Sequence, residues 1–315
     1  MLLQHTRRFP ISKQGVGVSF FLIILLSLLL GSCDKQEYQD YSPTFSAAPP
    51  VTETEYIFGV HPLHNPQRLF EVFGPMMKYL SDNIDGVSFK LEASRNYQAF
   101  DEKLYARKFD FALPNPFQTI NAIDKGYKVF GQIGLDENFR GIILVRKDSG
   151  ITKVSDLRGQ AVSYPAPSAL AATMMPQYYI QTHGVDVMKE TDSKYVGSQE
   201  SAMMNVYLGQ TKAAGTWPPP WKEFQKQRPE VANQLKVIWD TEPLVALGLV
   251  VLPKIPDTIS KQVIQLLTTP DEHGQGLEML WRSEFSAIVR PANNETYFVV
   301  REFLENFDRE VRPLQ

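Results

Sequence analysis

Residues 56–80 read YIFGVHPLHNPQRLFEVFGPMMKYL, and this stretch decides the fold. Its first five residues form a short apolar run that ends at His61-Pro62, which predicts a buried strand. From Gln67 to Ile84 the apolar side chains recur at intervals of three and four residues, which predicts an amphipathic helix. A strand followed directly by a helix is the repeating unit of a sheet with helices packed on its faces.

The same alternation continues along the rest of the chain. After the first unit we predict strands over 87–93, 110–113, 128–133 and 141–146, with helices over 97–106 and 117–125. A second series has predicted strands over 161–163, 194–196, 212–215, 235–240 and 247–252, helices over 169–182, 199–208 and 221–226, and a helical region over 257–307. This order predicts an α/β protein with two mostly parallel sheets, each flanked by helices, and two chain crossings near Arg146 and Thr241.

Composition and charge exclude several classes of protein. The chain has 315 residues, of which 43% are hydrophobic and 21% charged, close to the average of globular proteins. Collagen-like, coiled-coil, disordered and polytopic membrane proteins are therefore excluded. The formal net charge of -3 provides no basic field for a nucleic-acid backbone, so we expect no nucleic-acid partner.

The N-terminus has the features of an export signal. Arg7, Arg8 and Lys13 precede the apolar run from Val18 to Leu30, which is shorter than the roughly 20 residues that a membrane-spanning helix needs. We predict a cleaved signal peptide over 1–32, with an uncleaved signal anchor as the alternative. The following segment is polar and contains three prolines, which predicts a flexible tether over 33–54.

Cys33 is the one cysteine of the sequence, so an internal disulfide is excluded. The segment Leu30-Gly31-Ser32-Cys33 resembles the lipobox of bacterial lipoproteins, which implies that the Cys33 thiol is lipidated. We therefore expect a periplasmic protein anchored to the membrane. In Gram-negative bacteria of the enteric type, Asp34 after the lipidated cysteine would imply retention at the inner membrane.

Motifs of the common enzyme classes are missing from the sequence. It contains no Walker A loop, no Gly-x-Ser-x-Gly elbow and no His-Glu-x-x-His pair, so we predict neither catalysis nor a cofactor. His61 and His64 share one loop without a neighbouring cysteine or carboxylate. We expect them to be loop residues at a cleft rim or in solvent, and we predict no metal site.

Several segments, in this order, resemble the periplasmic binding proteins of phosphonate, phosphite and phosphate ABC importers. The segments are Phe58-Gly-Val-His-Pro62, Gly74-Pro75 to Leu80, Asn96-Tyr97, Asp110-Phe-Ala-Leu-Pro114 with Phe117, Lys147–Ile151 and Val154–Gly159. The resemblance implies two α/β lobes joined by two hinge strands, with the ligand bound between them. We expect lobe 1 to comprise 55–145 and 242–315, and lobe 2 to comprise 146–241.

The expected ligand site departs from the pattern of that family. The family has a Ser-Thr-Ser-Gly turn before a helix, whose hydroxyls and N–H groups bind an oxyanion, whereas this chain has Ala169-Leu170-Ala171-Ala172. The family's Gly-Ser-His-Asp turn is replaced by Gly197-Ser198-Gln199-Glu200. An oxyanion at this position would therefore lose hydroxyl donors, and other residues would have to supply them.

The candidate ligand-binding residues are Tyr97, Asn115, Phe117, Arg140, Ser168, Ala169, Leu170, Gln199, Ser201, Lys212 and Trp217. Some of them have a structural role as an alternative. Instead of binding ligand, Arg140 could form an ion pair between the lobes. Lys212 could be exposed to solvent, and Trp217 could be a core residue. Ser168 is expected to cap the following helix.

These observations predict a lipid-anchored, extracytoplasmic solute-binding protein, expected to be a monomer. It would deliver a small polar ligand of oxyanion type, such as a phosphonate, phosphite or phosphate, to an ABC permease. The alternative is a periplasmic ligand-sensing subunit for a membrane histidine kinase, and the sequence does not separate the two. A third class, an enzyme on the same scaffold, would be revealed by turnover.

Overall fold

The computed structural model describes residues 53–268 and 288–314. They belong to one compact unit, Val51–Gln315. The predicted signal peptide, Cys33 and almost all of the predicted tether lie outside the described residues. Within the described ranges, no helix is long and apolar enough to cross a membrane.

Strands and helices alternate along the described chain. The strands are β1 (Thr54–Val60), β2 (Val87–Glu92), β3 (Phe111–Leu113), β4 (Lys128–Ile133), β5 (Ile142–Arg146), β6 (Gln160–Tyr164), β7 (Thr191–Tyr195), β8 (Ala213–Thr216), β9 (Leu235–Asp240), β10 (Leu247–Val251) and β11 (Val289–Pro291). The α-helices are α1 (Pro66–Asn83), α2 (Tyr97–Tyr105), α3 (Pro116–Asp124), α4 (Met175–Thr182), α5 (Val187–Glu190), α6 (Gln199–Tyr207), α7 (Pro218–Gln227), α8 (Pro229–Ala232), α9 (Asp257–Thr268) and α10 (Phe298–Glu310). A π-helical turn, Leu170–Met174, leads directly into α4, and short 3-10 turns lie at Asp136–Asn138, Val154–Leu157 and Asn294–Tyr297.

The first sheet has the strand order β11-β4-β10-β3-β1-β2. Strand β1 pairs in parallel with both β2 and β3, whereas β10 is antiparallel to β3 and β4. Strands β1 to β4 therefore all run in one direction. Two strands oppose them: β10, which enters this sheet as the chain returns from the second sheet, and the edge strand β11, which is antiparallel to β4.

The second sheet has the strand order β7-β6-β8-β5-β9. Strand β6 is parallel to β7 and β8, and β5 is antiparallel to its two neighbours β8 and β9. The strand that runs in the opposite direction is again the first one after the chain passes from one sheet to the other: β5 follows β4 of the first sheet. Both sheets are thus mixed, and four strands of each share one direction, which confirms the predicted α/β fold of two helix-flanked sheets.

Most of the predicted elements occur within two or three residues of the expected bounds. The exception among the described residues is the region 257–307, which was predicted to be helical and contains β11. This edge strand has three residues and pairs with β4, so it is too short to carry a detectable period of two. The helix predicted over 169–182 begins with the π-helical turn.

One apolar cluster includes side chains from the regions of both sheets. Phe58, Phe111 and Leu249 come from the first sheet, and the cluster also contains Leu170 and Trp217, which follow strands of the second sheet. The ring of Trp217 contacts that of Phe139 edge-on, with the ring centroids 5.4 Å apart. The two sheets are therefore packed together through the ends of their strands.

Candidate functional site

A small cavity lies between the two sheets. Its volume is about 10 Å³, the room of about one water molecule. It is lined by His61, Tyr97, Asn115, Phe139, Ala169, Leu170, Ala171, Ala172, Gln199 and Trp217. Each sheet contributes residues that follow the carboxyl ends of strands, the place where α/β sheets bind ligands. We regard this cavity as the candidate ligand site.

The first residues of five helical segments meet at this cavity. Tyr97 is the first residue of α2, and Gln199 is the first residue of α6. Asn115 and Trp217 are the N-cap residues of α3 and α7, and Ala169 precedes the π-helical turn. The first N–H groups of a helix have no partner within the helix, and the helix dipole makes this end positive. Helix α7 contributes only its dipole, because Pro218, Pro219 and Pro220 at its start have no N–H group. The cavity is therefore suited to negative charge without any cationic side chain in its lining.

A chain of hydrogen bonds connects the two sides of the cavity. Thr216 Oγ1 donates to Oε1 of Gln199 over 2.8 Å, which fixes the orientation of the amide. The amide nitrogen Nε2 of Gln199 then donates to the Tyr97 hydroxyl over 3.3 Å. Burial raises the pKa of Tyr97 far above its usual value, so the hydroxyl keeps its hydrogen and can donate it to a ligand.

His61 follows β1 directly and is buried, with 2% of its surface exposed. Its Nδ1 lies 2.9 Å from the main-chain carbonyl oxygen of Leu113, at the end of the neighbouring strand β3. The pKa of the ring is lowered to about 4, mainly by desolvation and to a smaller extent by the charge of His64, against the opposing effect of the hydrogen bond to Leu113. The imidazole is therefore neutral at physiological pH.

A second network joins α2 to the segment before the π-helical turn. Asp101 accepts from Gln118 Nε2 over 2.6 Å with one carboxylate oxygen and from Ser168 Oγ over 2.9 Å with the other. Asn115 Nδ2 donates to the main-chain oxygen of Ser168 over 2.9 Å. Desolvation raises the pKa of Asp101 to about 6, although these two hydrogen bonds favour the carboxylate.

Two further depressions adjoin the cavity. An open groove of about 450 Å³ lies on the side of Tyr97, between Asp101, Tyr105 and Ser168. On the other side of Gln199, a pocket of about 70 Å³ is lined by His64. Among the described residues, no group of histidine, cysteine and carboxylate side chains could hold a metal ion.

Six of the eleven candidate residues line the cavity. They are Tyr97, Asn115, Ala169, Leu170, Gln199 and Trp217. Asn115 also forms a capping box with Gln118, because the side-chain oxygen of each residue accepts from the main-chain N–H of the other. Trp217 is at once a core residue and a cavity residue.

The other five candidates lie outside the lining of the cavity. Phe117 is buried in the core next to Asn115. Arg140 Nε lies 3.4 Å from Asp240 Oδ2. This ion pair lies beside the paired strands β5 and β9 of the second sheet and, contrary to the structural alternative, does not join the two sheets. Ser201 bonds to Ser198 at the start of α6, and Lys212 is exposed.

Ser168 does not cap a helix, so that prediction was wrong. The residue before the π-helical turn is Ala169, which makes no side-chain cap bond, and the Ser168 hydroxyl donates to Asp101 instead. The side chain therefore binds a residue of α2 rather than the main chain of the helical segment that follows it. Sequence alone could not locate this partner, which is 67 positions away.

Sequence analysis did not select four residues of the lining as ligand candidates: His61, Phe139, Ala171 and Ala172. His61 was expected at a cleft rim or in solvent, and it is buried in the cleft. A histidine directly after the first buried strand was a usable signal, because that position lies at the carboxyl end of a sheet. The other three carry no polar side chain.

Comparisons with known proteins agree with this architecture. A family model described as "ABC transporter, phosphonate, periplasmic substrate-binding protein" matches residues 58–297. A binding protein component of an ABC phosphonate transporter from Pseudomonas aeruginosa is 19% identical with a TM-score of 0.74, and the match covers 82% of this chain and 88% of that one. PhnD1 from Prochlorococcus marinus, solved in complex with methylphosphonate, is 17% identical with a TM-score of 0.74, covering 81% of this chain and 99% of that one. At these identities the similarity to solved structures establishes the two-lobed fold.

Proposed function

The chain belongs to the periplasmic substrate-binding protein family of phosphonate ABC transporters, and we propose that it binds a small oxyanion of phosphonate type between its sheets. The bound ligand would be delivered to an ABC permease. The family binds solutes for transport, so we assign a binding function and no catalytic one. The sensory alternative gains no support from a family match that describes transport proteins.

The observation that carries this proposal is the meeting of five helix starts at one cavity. An oxyanion placed there would accept hydrogen bonds from main-chain N–H groups and would lie at the positive ends of helix dipoles. The Tyr97 hydroxyl and the Gln199 amide add neutral donors. These groups compensate for the missing hydroxyls of Ala169-Leu170-Ala171-Ala172.

Binding requires the two lobes to separate. A cavity of about 10 Å³ holds about one water molecule, which is less than a phosphonate needs. We propose that the lobe built on the first sheet and the lobe built on the second sheet open about their two connections and close on the ligand. The predicted lobe boundary at 145/146 would divide β5, which pairs with β8 and β9, so we place the first connection before Ile142. The bond from Asn115 to Ser168 and the bond from Ser168 to Asp101 would break on opening, because each joins an element of one sheet to a segment of the other.

We further propose that Cys33 is lipidated after removal of residues 1–32 and that the protein is held at the periplasmic membrane surface by the tether 33–54. This rests on the lipobox-like residues before Cys33. Mass spectrometry of the protein purified from membranes tests it: the expected N-terminus is a diacylated Cys33. The variant Cys33→Ser should be recovered in the soluble fraction, and a membrane-bound Cys33→Ser variant would contradict lipidation.

The ligand is tested with the exported part of the chain, residues 34–315, by calorimetry and thermal unfolding. The probes are methylphosphonate, phosphite and phosphate, with glucose as a neutral control. We expect at least one oxyanion to bind and to stabilise the fold, by about 2.7 kcal/mol at 100 times its Kd. If none of the three binds, the oxyanion proposal is overturned, whereas the fold and family membership stand.

A further inference from the structure

His61 lines the cavity and has one side-chain nitrogen, Nε2, that can only accept a hydrogen bond. The ring is fixed by its other nitrogen, because Nδ1 lies 2.9 Å from the Leu113 carbonyl oxygen. A carbonyl oxygen only accepts, so Nδ1 must carry the ring hydrogen. In the neutral imidazole, Nε2 then has a lone pair and no hydrogen.

The other polar groups at the cavity present hydrogens. The Tyr97 hydroxyl accepts from Gln199, so its own hydrogen is available to a ligand. The Gln199 amide has its oxygen occupied by Thr216 and retains a second N–H. With the N–H groups at the helix starts, the lining offers several donors to ionised oxygens. Its side-chain acceptors are Nε2 of His61 and Oδ1 of Asn115, and the latter already accepts from the Gln118 N–H.

We propose that His61 is a specificity-determining residue whose Nε2 accepts a hydrogen bond from a protonated oxygen of the ligand. The site would thereby select an oxyanion that keeps one O–H group, such as the monoanion of a phosphonate, over an oxyanion of the same shape without a hydrogen, such as a sulfonate. This inference rests on the proposed binding of an oxyanion in this cavity.

The physical reason for this selectivity is that two hydrogen-bond acceptors facing each other in a closed site both lack a donor. All three oxygens of a sulfonate only accept, so the oxygen nearest to His61 would face the lone pair of Nε2, and neither atom would have a partner. The ring could resolve this by taking up a proton. Burial opposes that step, since it lowers the pKa of His61 to about 4. A phosphonate monoanion brings the hydrogen itself.

The test compares the affinities for methylphosphonate and methanesulfonate by calorimetry at pH 7. The variant His61→Asn keeps an amide hydrogen for the Leu113 carbonyl but places no atom at Nε2. We expect the wild-type protein to prefer methylphosphonate by roughly 10- to 100-fold. In His61→Asn this preference should fall at least about tenfold, mainly because methylphosphonate binds more weakly.

Two further variants separate this role from a general loss of structure. His64→Asn changes the next histidine of the same loop, which lines the neighbouring pocket rather than the cavity, and should keep the wild-type preference. His61→Gln extends an amide oxygen toward the position of Nε2 and should restore part of the preference. Thermal unfolding of each ligand-free variant shows whether it folds.

Each result decides the inference. Equal wild-type affinities for the two anions, or an unchanged preference in a folded His61→Asn variant, would overturn the role of His61 and leave oxyanion binding in place. If the wild-type protein binds neither these anions nor phosphite or phosphate, the proposed function falls together with the inference. Without ligand, long-range ¹H–¹⁵N spectra should show a neutral His61 ring protonated at Nδ1, and protonation at Nε2 would overturn the inference on its own.

Discussion

The side-chain amide of Gln199 donates a hydrogen bond to the hydroxyl of Tyr97, although the two residues are 102 positions apart in the chain. Tyr97 begins α2 beside the first sheet, and Gln199 begins α6 beside the second. The bond therefore joins two helix starts across the cavity. It also orients both groups, so that each presents a hydrogen toward the proposed ligand.

Replacing Tyr97 by Phe removes this hydroxyl and keeps the ring. We expect the affinity for methylphosphonate to fall about 10- to 150-fold, because a hydrogen bond to a charged group contributes about 1.5–3 kcal/mol. Calorimetry measures the change. The matched control is Tyr105→Phe, since the Tyr105 hydroxyl accepts from Asn121 and lies at the groove rather than the cavity. Equal losses in the two variants would contradict a direct role of Tyr97.

Acid should destabilise the fold through His61, which is buried, and His64, which is half-buried. Burial lowers the pKa of His61 and of His64 from 6.5 to about 4. Between pH 4 and pH 6.5 the unfolded state binds more protons than the folded state. The free energy of unfolding therefore has its full value above pH 6.5 and decreases as the pH is lowered to 4. The fall is about 3 kcal/mol for each histidine, from 1.36 kcal/mol per pH unit.

Urea denaturation at a series of pH values from 4 to 7.5 measures this dependence. His64→Asn should flatten the curve over that range. His183→Asn is the control, because His183 is an exposed histidine, and it should follow the wild-type curve. A His64→Asn curve as steep as that of the wild type would show that His64 is not the source.

Asp101 should act in the opposite direction over part of the same range. Desolvation raises its pKa from 3.8 to about 6. The folded state therefore binds more protons than the unfolded state between these values, and this group adds stability below pH 3.8 that is lost as the pH rises through 6. We expect Asp101→Asn to make the acid-induced loss of stability steeper, by up to about 3 kcal/mol over the whole interval. Denaturation of Asp101→Asn beside Glu102→Gln measures it, and identical slopes would contradict the raised pKa.

Gly215 should tolerate no side chain. A Cβ at this position of β8 would overlap the carbonyl oxygen of Ala172, a residue in the lining of the cavity. Gly215→Ala must displace the π-helical turn, so we expect a loss of about 1–3 kcal/mol in the free energy of unfolding and weaker ligand binding. The control is Gly74→Ala within α1, where a Cβ meets no atom within 4 Å outside the adjoining residues and the helix backbone, so ligand binding should be unchanged. A stable Gly215→Ala variant with wild-type affinity would refute the close contact.

Much of the cavity was visible in the sequence because it lies where strands end and helices begin. Tyr97, Asn115, Ala169 and Gln199 were chosen from the resemblance to the family, and local signals, namely an apolar strand and then the start of a helix, agree with that choice. Such signals depend on neighbours within a few residues. They place a residue at the end of a sheet, but they do not say which way its side chain is directed.

The prediction failed where the side chain's partner is distant in the chain. Ser168 has the sequence position of a helix cap, and its hydroxyl binds Asp101. Arg140 was a candidate for an anion, and it lies beside Asp240, 100 positions away. In both cases the side chain binds a carboxylate from another element, Asp101 or Asp240, which its neighbours in the sequence do not reveal.

His61 shows most clearly what the tertiary structure decided. The sequence by itself determined the α/β alternation, the two sheets and the likeness to solute receptors, because hydrophobic periodicity and the order of elements are properties of the chain. It did not determine the protonation state of a loop histidine. Burial between the sheets makes the ring neutral, and the Leu113 carbonyl on the next strand places its hydrogen on Nδ1. Both causes arise only when segments distant in the chain are packed together.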